Sequence, residues 1–238
     1  MKFKSLLTTL AALGLATATQ AATYSVYITG STAGRASVFD SIQAMMTGEV
    51  ITKDNATLNS ANKANFVGTI GADTVTVYCS WSGSATGIGS LVNNSNVTFM
   101  AEVAGGTIAS PTALNQTADI AFSDVFQSST NFTAVALSDA NTIVLPFKFY
   151  TSEGSPITNV TPQLAQYLYQ TGSMPLALFT GNAADQTKGV VSCGRDNGSG
   201  TRITTMAESG VGALSSVVQY TPTLTPVGAI NQTITAAT

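Results

Sequence analysis

The stretch Arg195-Asp196-Asn197-Gly198-Ser199-Gly200-Thr201 follows directly on the apolar run Gly189-Val190-Val191-Ser192-Cys193 and Gly194. A short strand delivers one arginine, then a Gly-rich turn, then hydroxyls and backbone N–H groups at the start of a helix. That is the chemistry of an anion cradle. Helix N-termini carry orphan N–H donors and partial positive charge, glycine lets an oxyanion approach the backbone, and arginine adds a planar charged fork. The same spacing also suits a plain polar turn, so the remaining segments must choose between the two.

Three further segments have a related character. Gly30-Ser31-Thr32-Ala33-Gly34 follows a strand-like alternation over residues 24–29, and a helical pattern carrying Val38, Phe39, Ile42, Met45 and Met46 on one side comes after it. Gly83-Ser84-Ala85-Thr86-Gly87 follows a strand expected over residues 74–81 and leads into a short helix near residues 87–91. Ser123-Asp124 ends a short buried strand expected over residues 118–122.

Elsewhere, residues 55–65 are rich in Asn, Ala, Thr and Lys and read as a surface loop, within a polar loop or insertion near residues 50–72. Strands are expected over residues 97–103, 134–137, 142–150 and 216–221, and residues 181–188 read as a polar loop. Residues 161–169 carry Leu164, Tyr167 and Leu168 at helical spacing behind Asn159-Val160-Thr161-Pro162, which supplies a cap and an N-terminal proline. A further helix is expected over residues 201–209, and the end of the chain is a Thr/Pro-rich tail. Strands alternating with helices predict an α/β fold with a mostly parallel sheet, whose ligands gather at the carboxyl ends of the strands. All four polar segments fall at such ends, which favours a site over a set of plain turns.

Several chemistries are excluded or disfavoured. The chain has no histidine, which removes His-based acid–base chemistry, Ser-His-Asp triads and most zinc sites. No Gly-x-Ser-x-Gly elbow or Walker-type phosphate loop occurs. Ser60-Ala61-Asn62-Lys63 has the spacing of serine acyl enzymes but lies in the polar loop without their companion motifs. No catalytic residue, metal site or cofactor is therefore assigned. Twelve acidic residues outnumber nine basic ones, a balance that argues against nucleic acid as a partner. Cys79 and Cys193 either pair in an oxidising compartment or are small buried residues of their strand-like runs.

The N-terminus reads as a secretory signal over residues 1–21. Lys2 and Lys4 precede an apolar core over residues 6–18, and Thr19-Gln20-Ala21 is a cleavage site. A periplasmic or secreted protein is expected, with no direct insertion into the membrane after cleavage.

In this order the four segments resemble the phosphate-binding proteins of bacterial ABC importers, in the two-lobed periplasmic binding protein superfamily. The resemblance rests on Ile28-Thr29-Gly30-Ser31, on Gly83-Ser84-Ala85-Thr86-Gly87, on Asp119-Ile120-Ala121-Phe122-Ser123-Asp124, and most specifically on Arg195-x-x-Gly198-Ser199-Gly200-Thr201. It implies a first lobe over residues 22–150 and a second over residues 151–238, with inorganic phosphate held between them and a membrane permease as partner. By position, Arg195 is the charged fork, and Ser84, Ser199, Gly200 and Thr201 are donors. Asp124 is the single acceptor, for the proton that phosphate retains and sulfate lacks. The first turn departs from the family pattern: Gly34 and Arg35 stand where a hydroxyl residue and a phenylalanine are usual. Ser31 or Thr32 would then supply the hydroxyls, and Arg35 is either an extra anion contact or a solvated helix residue. The family continues for about a hundred residues past this motif, a domain-sized length, so the second lobe is expected to be incomplete, through a fragmentary or truncated chain. The competing reading is a secreted structural or adhesive surface protein, suggested by abundant Thr, Ser, Asn, Ala and Gly.

Overall fold

Residues 21–222 and 234–237 are described by the computed structural model of the chain, so the signal expected over residues 1–21 lies outside the described residues except for Ala21, as does most of the Thr/Pro-rich tail. The strands β1 (Thr23–Gly30), β2 (Thr47–Lys53), β3 (Lys63–Ile70), β4 (Asp73–Trp81), β6 (Gly106–Thr107) and β8 (Ile120–Phe122) form one sheet in the order β6-β2-β3-β4-β1-β8. The short strands β5 (Asn96–Met100) and β7 (Ala113–Thr117) form a separate antiparallel ladder. In the main sheet β1 runs parallel to both β4 and β8, and β2 parallel to β6, while β2–β3 and β3–β4 are antiparallel. The fold is thus α/β with a mixed, mostly parallel sheet.

Alternation along β4 explains how the sheet is covered. Val75, Val77, Cys79 and Trp81 point to one face, as a period of two requires, and join Ile28 and Phe66 in a buried cluster. The helix α1 (Arg35–Met45) lays Val38, Phe39 and Ile42 on that face. Phe39 packs against Phe66 at 5.5 Å and edge-on to Trp81 at 5.7 Å between ring centroids, geometries that aromatic quadrupoles favour. Of the two methionines expected on the buried side of α1, Met46 is buried but Met45 is 60% exposed. On the other face Tyr27 stacks on Tyr78 at 4.9 Å, with Phe99 of β5 against Tyr27.

The expected insertion near residues 50–72 is a correction. It is the β2–β3 hairpin, and β3 is an interior strand. The polar composition concealed an inward row of Ala64 and Phe66, both fully buried. Asn65 is fully buried too; its Nδ2 donates to the carbonyls of Met100 (2.8 Å) and Glu102 (2.7 Å), while its Oδ1 has no partner among the described residues. The true loop is residues 54–62, with a 3-10 turn at Leu58–Ser60.

The helix α2 (Ser84–Val92) begins at the expected turn, and a 3-10 turn at Gln127–Ser129 follows β8. Residues 134–137 and 142–150 form no strand. Val144 is 95% and Tyr150 90% exposed. β propensity is a preference for a pleated, half-buried surface, and these residues have no ladder partner, with Pro146 lacking an N–H. β8, expected to be buried, is the sheet edge, and Ile120 is 45% exposed.

The C-terminal part contains α3 (Pro162–Thr171), β9 (Ser173–Pro175), α4 (Ala177–Thr180), β10 (Gly189–Val191), α5 (Gly200–Glu208), β11 (Gln219–Pro222) and β12 (Ile234–Ala237). α3 starts as the sequence requires: Thr161 Oγ1 accepts from Leu164 N–H at 3.3 Å, and Pro162 opens the first turn. Its buried side is Ala165 and Tyr169, whereas Tyr167 is half-exposed. Among the described residues the strands of this part form two antiparallel pairs, β9–β10 and β11–β12, in place of a parallel sheet. Cys79 is fully buried in β4 and Cys193 is exposed; both thiols are free, which removes the disulfide alternative. No helix among the described residues is long and apolar enough to cross a membrane.

Candidate functional site: a carboxylate between two helix starts

Parallel pairing brings the carboxyl ends of β1, β4 and β8 to one edge, with Gly30 opposite both Trp81 and Phe122. The turns beyond are stapled together. Ser31 N–H donates to the Phe122 carbonyl (2.8 Å), and Gly83 N–H to the Gly30 carbonyl (2.9 Å). Gly30 has φ +115, and a Cβ there would collide with the Phe122 backbone. Only glycine meets both demands.

Asp124 lies at the centre. Ser31 Oγ donates to its Oδ2 at 3.1 Å, Ser84 Oγ donates to its Oδ1, and Asp124 N–H lies 3.4 Å from Ser84 Oγ. Both serines are buried and the aspartate is half-buried. Ser84 is the first residue of α2. From the other side comes Gly200, the first residue of α5, so close that a Cβ would overlap the Asp124 carboxylate and stand 2.6 Å from Ser84 Oγ. Ser199 caps α5, its Oγ accepting from Arg202 N–H at 3.4 Å. Asp124 makes no ion pair with another described residue. Its charge is met by two hydroxyls and by the positive ends of two helices, an arrangement that stabilises an anion without a cation.

The loop of residues 195–199 is held in register by its own contacts. Ala85 N–H donates to the Gly198 carbonyl at 3.0 Å, joining the starts of α2 and α5. Asp196 Oδ1 accepts from Gly198 N–H at 2.9 Å. Gly83 adopts φ +130, and a Cβ there would stand 2.6 Å from the same Gly198 carbonyl.

Ser31, Ser84, Asp124 and Gly200 are thus brought together, with Ser199 beside them as the cap. Thr201 follows in the first turn of α5, half-buried, its carbonyl accepting from Thr205 Oγ1. Thr32 is half-buried in the first turn and makes no hydrogen bond to Asp124. Arg195 stands apart from the carboxylate, half-exposed, with Nε 3.5 Å from Asp196. Arg35 is committed elsewhere: Nε donates to the Asn59 carbonyl (2.9 Å) and Nη1 to Asn62 Oδ1 (2.8 Å). It anchors the 54–62 loop to α1 from a partly exposed position in the first turn, which is the helix-residue alternative and not an extra anion contact.

One cation escaped the sequence reading. Arg202, in the first turn of α5, is buried, with one Nη donating to the Ser215 carbonyl at 3.2 Å and Nε without a partner. Its only sequence signal was a charge next to the motif. Ser31 and Asp124 also line a cavity of about 650 Å³, walled by Ile88, Phe122, Leu145 and Phe147. Among the described residues no group of three His, Cys, Asp or Glu could hold a metal ion. The chemistry available is hydrogen-bond donation to an anion, with one carboxylate able to accept a proton's hydrogen bond. No family model, curated protein or solved structure matches the chain.

Proposed function

We propose that the protein is a two-lobed solute receptor that binds inorganic phosphate, or a related protonated oxyanion, and presents it to a membrane permease of the ABC type. It acts after export by its N-terminal signal and performs no catalysis. The observation that carries this reading is Asp124, which accepts from Ser31 and Ser84 and abuts Gly200 at the start of α5. An entering anion would take over the serine hydroxyls and the first amides of α2 and α5. Asp124 would then need a new donor, and HPO₄²⁻ or H₂PO₄⁻ supplies one from its own proton. Sulfate at neutral pH has none, so it leaves the carboxylate unsatisfied. Arg195 is available to the anion, because its exposed contact with Asp196 is worth little.

Titration calorimetry of the purified protein with phosphate and then sulfate tests the reading. An unsatisfied buried acceptor costs about 1–3 kcal/mol, which corresponds to roughly 5- to 150-fold weaker sulfate binding. Asp124→Asn is expected to narrow that gap by weakening phosphate and relieving sulfate. Equal affinity for the two anions, or no heat with millimolar phosphate, refutes it.

The alternative, a structural or adhesive surface protein, is favoured by one observation, the exposure of Phe126, Val144, Phe149 and Tyr150 around the irregular stretch after β8. A phosphate-independent, concentration-dependent self-association in sedimentation analysis would support it.

A further inference from the structure

A second cavity, of about 630 Å³, lies on the flank of α2 and includes neither Ser31, Ser84 nor Asp124. Its volume is in the range of small-molecule sites, and its walls come from parts of the chain far apart in sequence. They include β4 and β5, α2, the loop of residues 130–132, Asn197 and Gly198 from the cradle loop, and Ile203 and Leu214 beyond it.

The lining mixes apolar groups, among them Ala85, Val97, Ile203 and Leu214, with neutral polar ones. Ser82, Thr86, Asn93, Asn96, Asn131 and Asn197 present hydroxyls and amides from exposed positions. None of these six side chains is used in a hydrogen bond to another described residue. The buried hydroxyls of the same wall are committed, Ser80 to the Thr98 carbonyl, Ser90 to Gly87 and Thr130 to Gln127. Among the described residues the only charge on the lining is Lys63, and the only aromatic is Phe132, whose ring tip is seated on Gly89 so closely that a Cβ there would stand 2.7 Å away.

This composition selects among ligands. A multiply charged anion finds a single cation there, Lys63, and at the start of α2 Ala85 N–H is already given to Gly198. An apolar ligand would match the apolar groups alone and leave the six neutral polar side chains without a partner on the ligand. A neutral polyhydroxylated molecule suits the set, because each of its hydroxyls both donates and accepts, as amide and hydroxyl side chains do, and an aromatic ring packs against its C–H surface. We infer that this cavity is a binding site for a neutral saccharide, distinct from the phosphate cradle and independent of it.

The test is saturation-transfer NMR with titration calorimetry, using cellobiose, maltose and N,N′-diacetylchitobiose as probes. At least one is expected to bind saturably, with the strongest transfer to its C–H protons. Phe132→Ala should weaken that binding about tenfold or more, the equivalent of one good contact. Because Phe132 also packs on α2, Asn96→Trp serves as a second variant that fills the cavity from an exposed position; it should abolish binding at an unchanged melting temperature. Asp124→Asn should leave saccharide binding intact, which separates this site from the cradle. Absence of saturable binding for all three sugars up to about 50 mM, weaker than the weakest useful affinities, overturns the inference. So does binding that survives both Phe132→Ala and Asn96→Trp.

Discussion

Replacing Gly200 by alanine is the most direct challenge to the cradle. In an ordinary helix this change stabilises by up to about 1 kcal/mol. Here the added Cβ overlaps Asp124 Oδ1 and comes within 2.6 Å of Ser84 Oγ and 2.7 Å of the Asp124 carboxyl carbon. Something must move, either α5 away from α2 or the carboxylate out of its two serine bonds. Overpacking of this kind costs about 1–3 kcal/mol, and for a chain of this size each kcal/mol lowers Tm by roughly 2–4 °C. Gly200→Ala should therefore melt lower than the parent despite its better helix propensity, and bind phosphate at least tenfold more weakly. The decisive assay is a double-mutant cycle by thermal or urea unfolding. Asp124→Ala removes the atoms that the new methyl meets, so the pair should be less destabilised than the sum of the singles by more than about 1 kcal/mol. If the two changes add within about 0.5 kcal/mol, the range found for independent sites, the contact between α5 and Asp124 does not exist in solution and the cradle reasoning fails.

Three other outcomes are expected. Ser84→Ala removes the hydroxyl shared by α2 and Asp124 and should cost about 1–3 kcal/mol of stability, read as a lowered urea midpoint at unchanged slope; an unchanged midpoint contradicts the geometry. Native protein should react with iodoacetamide at Cys193 and not at Cys79, mapped by mass spectrometry; burial raises both thiols, so the Cys193 rate should climb steeply with pH above the ordinary thiol range. Asp185 is held below the usual carboxylate range by the hydrogen bond from Lys188, helped by Thr180. Its stabilising contribution is thus present above its unfolded value and is lost as pH falls through its lowered folded one, and Asp185→Asn should unfold earlier in urea at pH 7 but converge with the parent in strong acid.

What the sequence made legible follows from how local each signal is. The strand–Gly turn–helix units at Gly30, Gly83 and Gly198 could be read because glycine, hydroxyl and cap residues act within a few positions, and Asp124, Ser31, Ser84 and Gly200 do meet. The β2–β3 hairpin escaped because Asn65, a residue that normally marks a loop, places its Nδ2 donors on carbonyls of a segment some distance along the chain. Residues 142–150 look like a strand because propensity is local, but pairing depends on a neighbour that the main sheet does not provide. Arg35 and Arg195 are placed by their positions in the motif pattern, which says nothing of their side-chain partners. The partners of Arg35, a loop carbonyl and Asn62, are set by how the turns pack, whereas Arg195 meets only its sequence neighbour Asp196.

The position of β1 governs the order in which this fold can be assembled. β1 is the first strand of the described chain, yet its two neighbours are β4 and β8, with Thr23 opposite Thr74 and Ile28 opposite Ile120. The β2–β3–β4 meander closes over short loops, whereas β1 must wait for partners made much later, and such distant pairings are the slow ones. A chain emerging N-terminus first therefore carries Tyr24, Val26 and Ile28 unpaired until β4 has appeared, and the outer edge of β1 at Ile28–Gly30 open until β8 follows. The Asp124 site is built on the ends of β1, β4 and β8 but also needs Gly200 at the start of α5, so binding competence arrives later than the finished sheet.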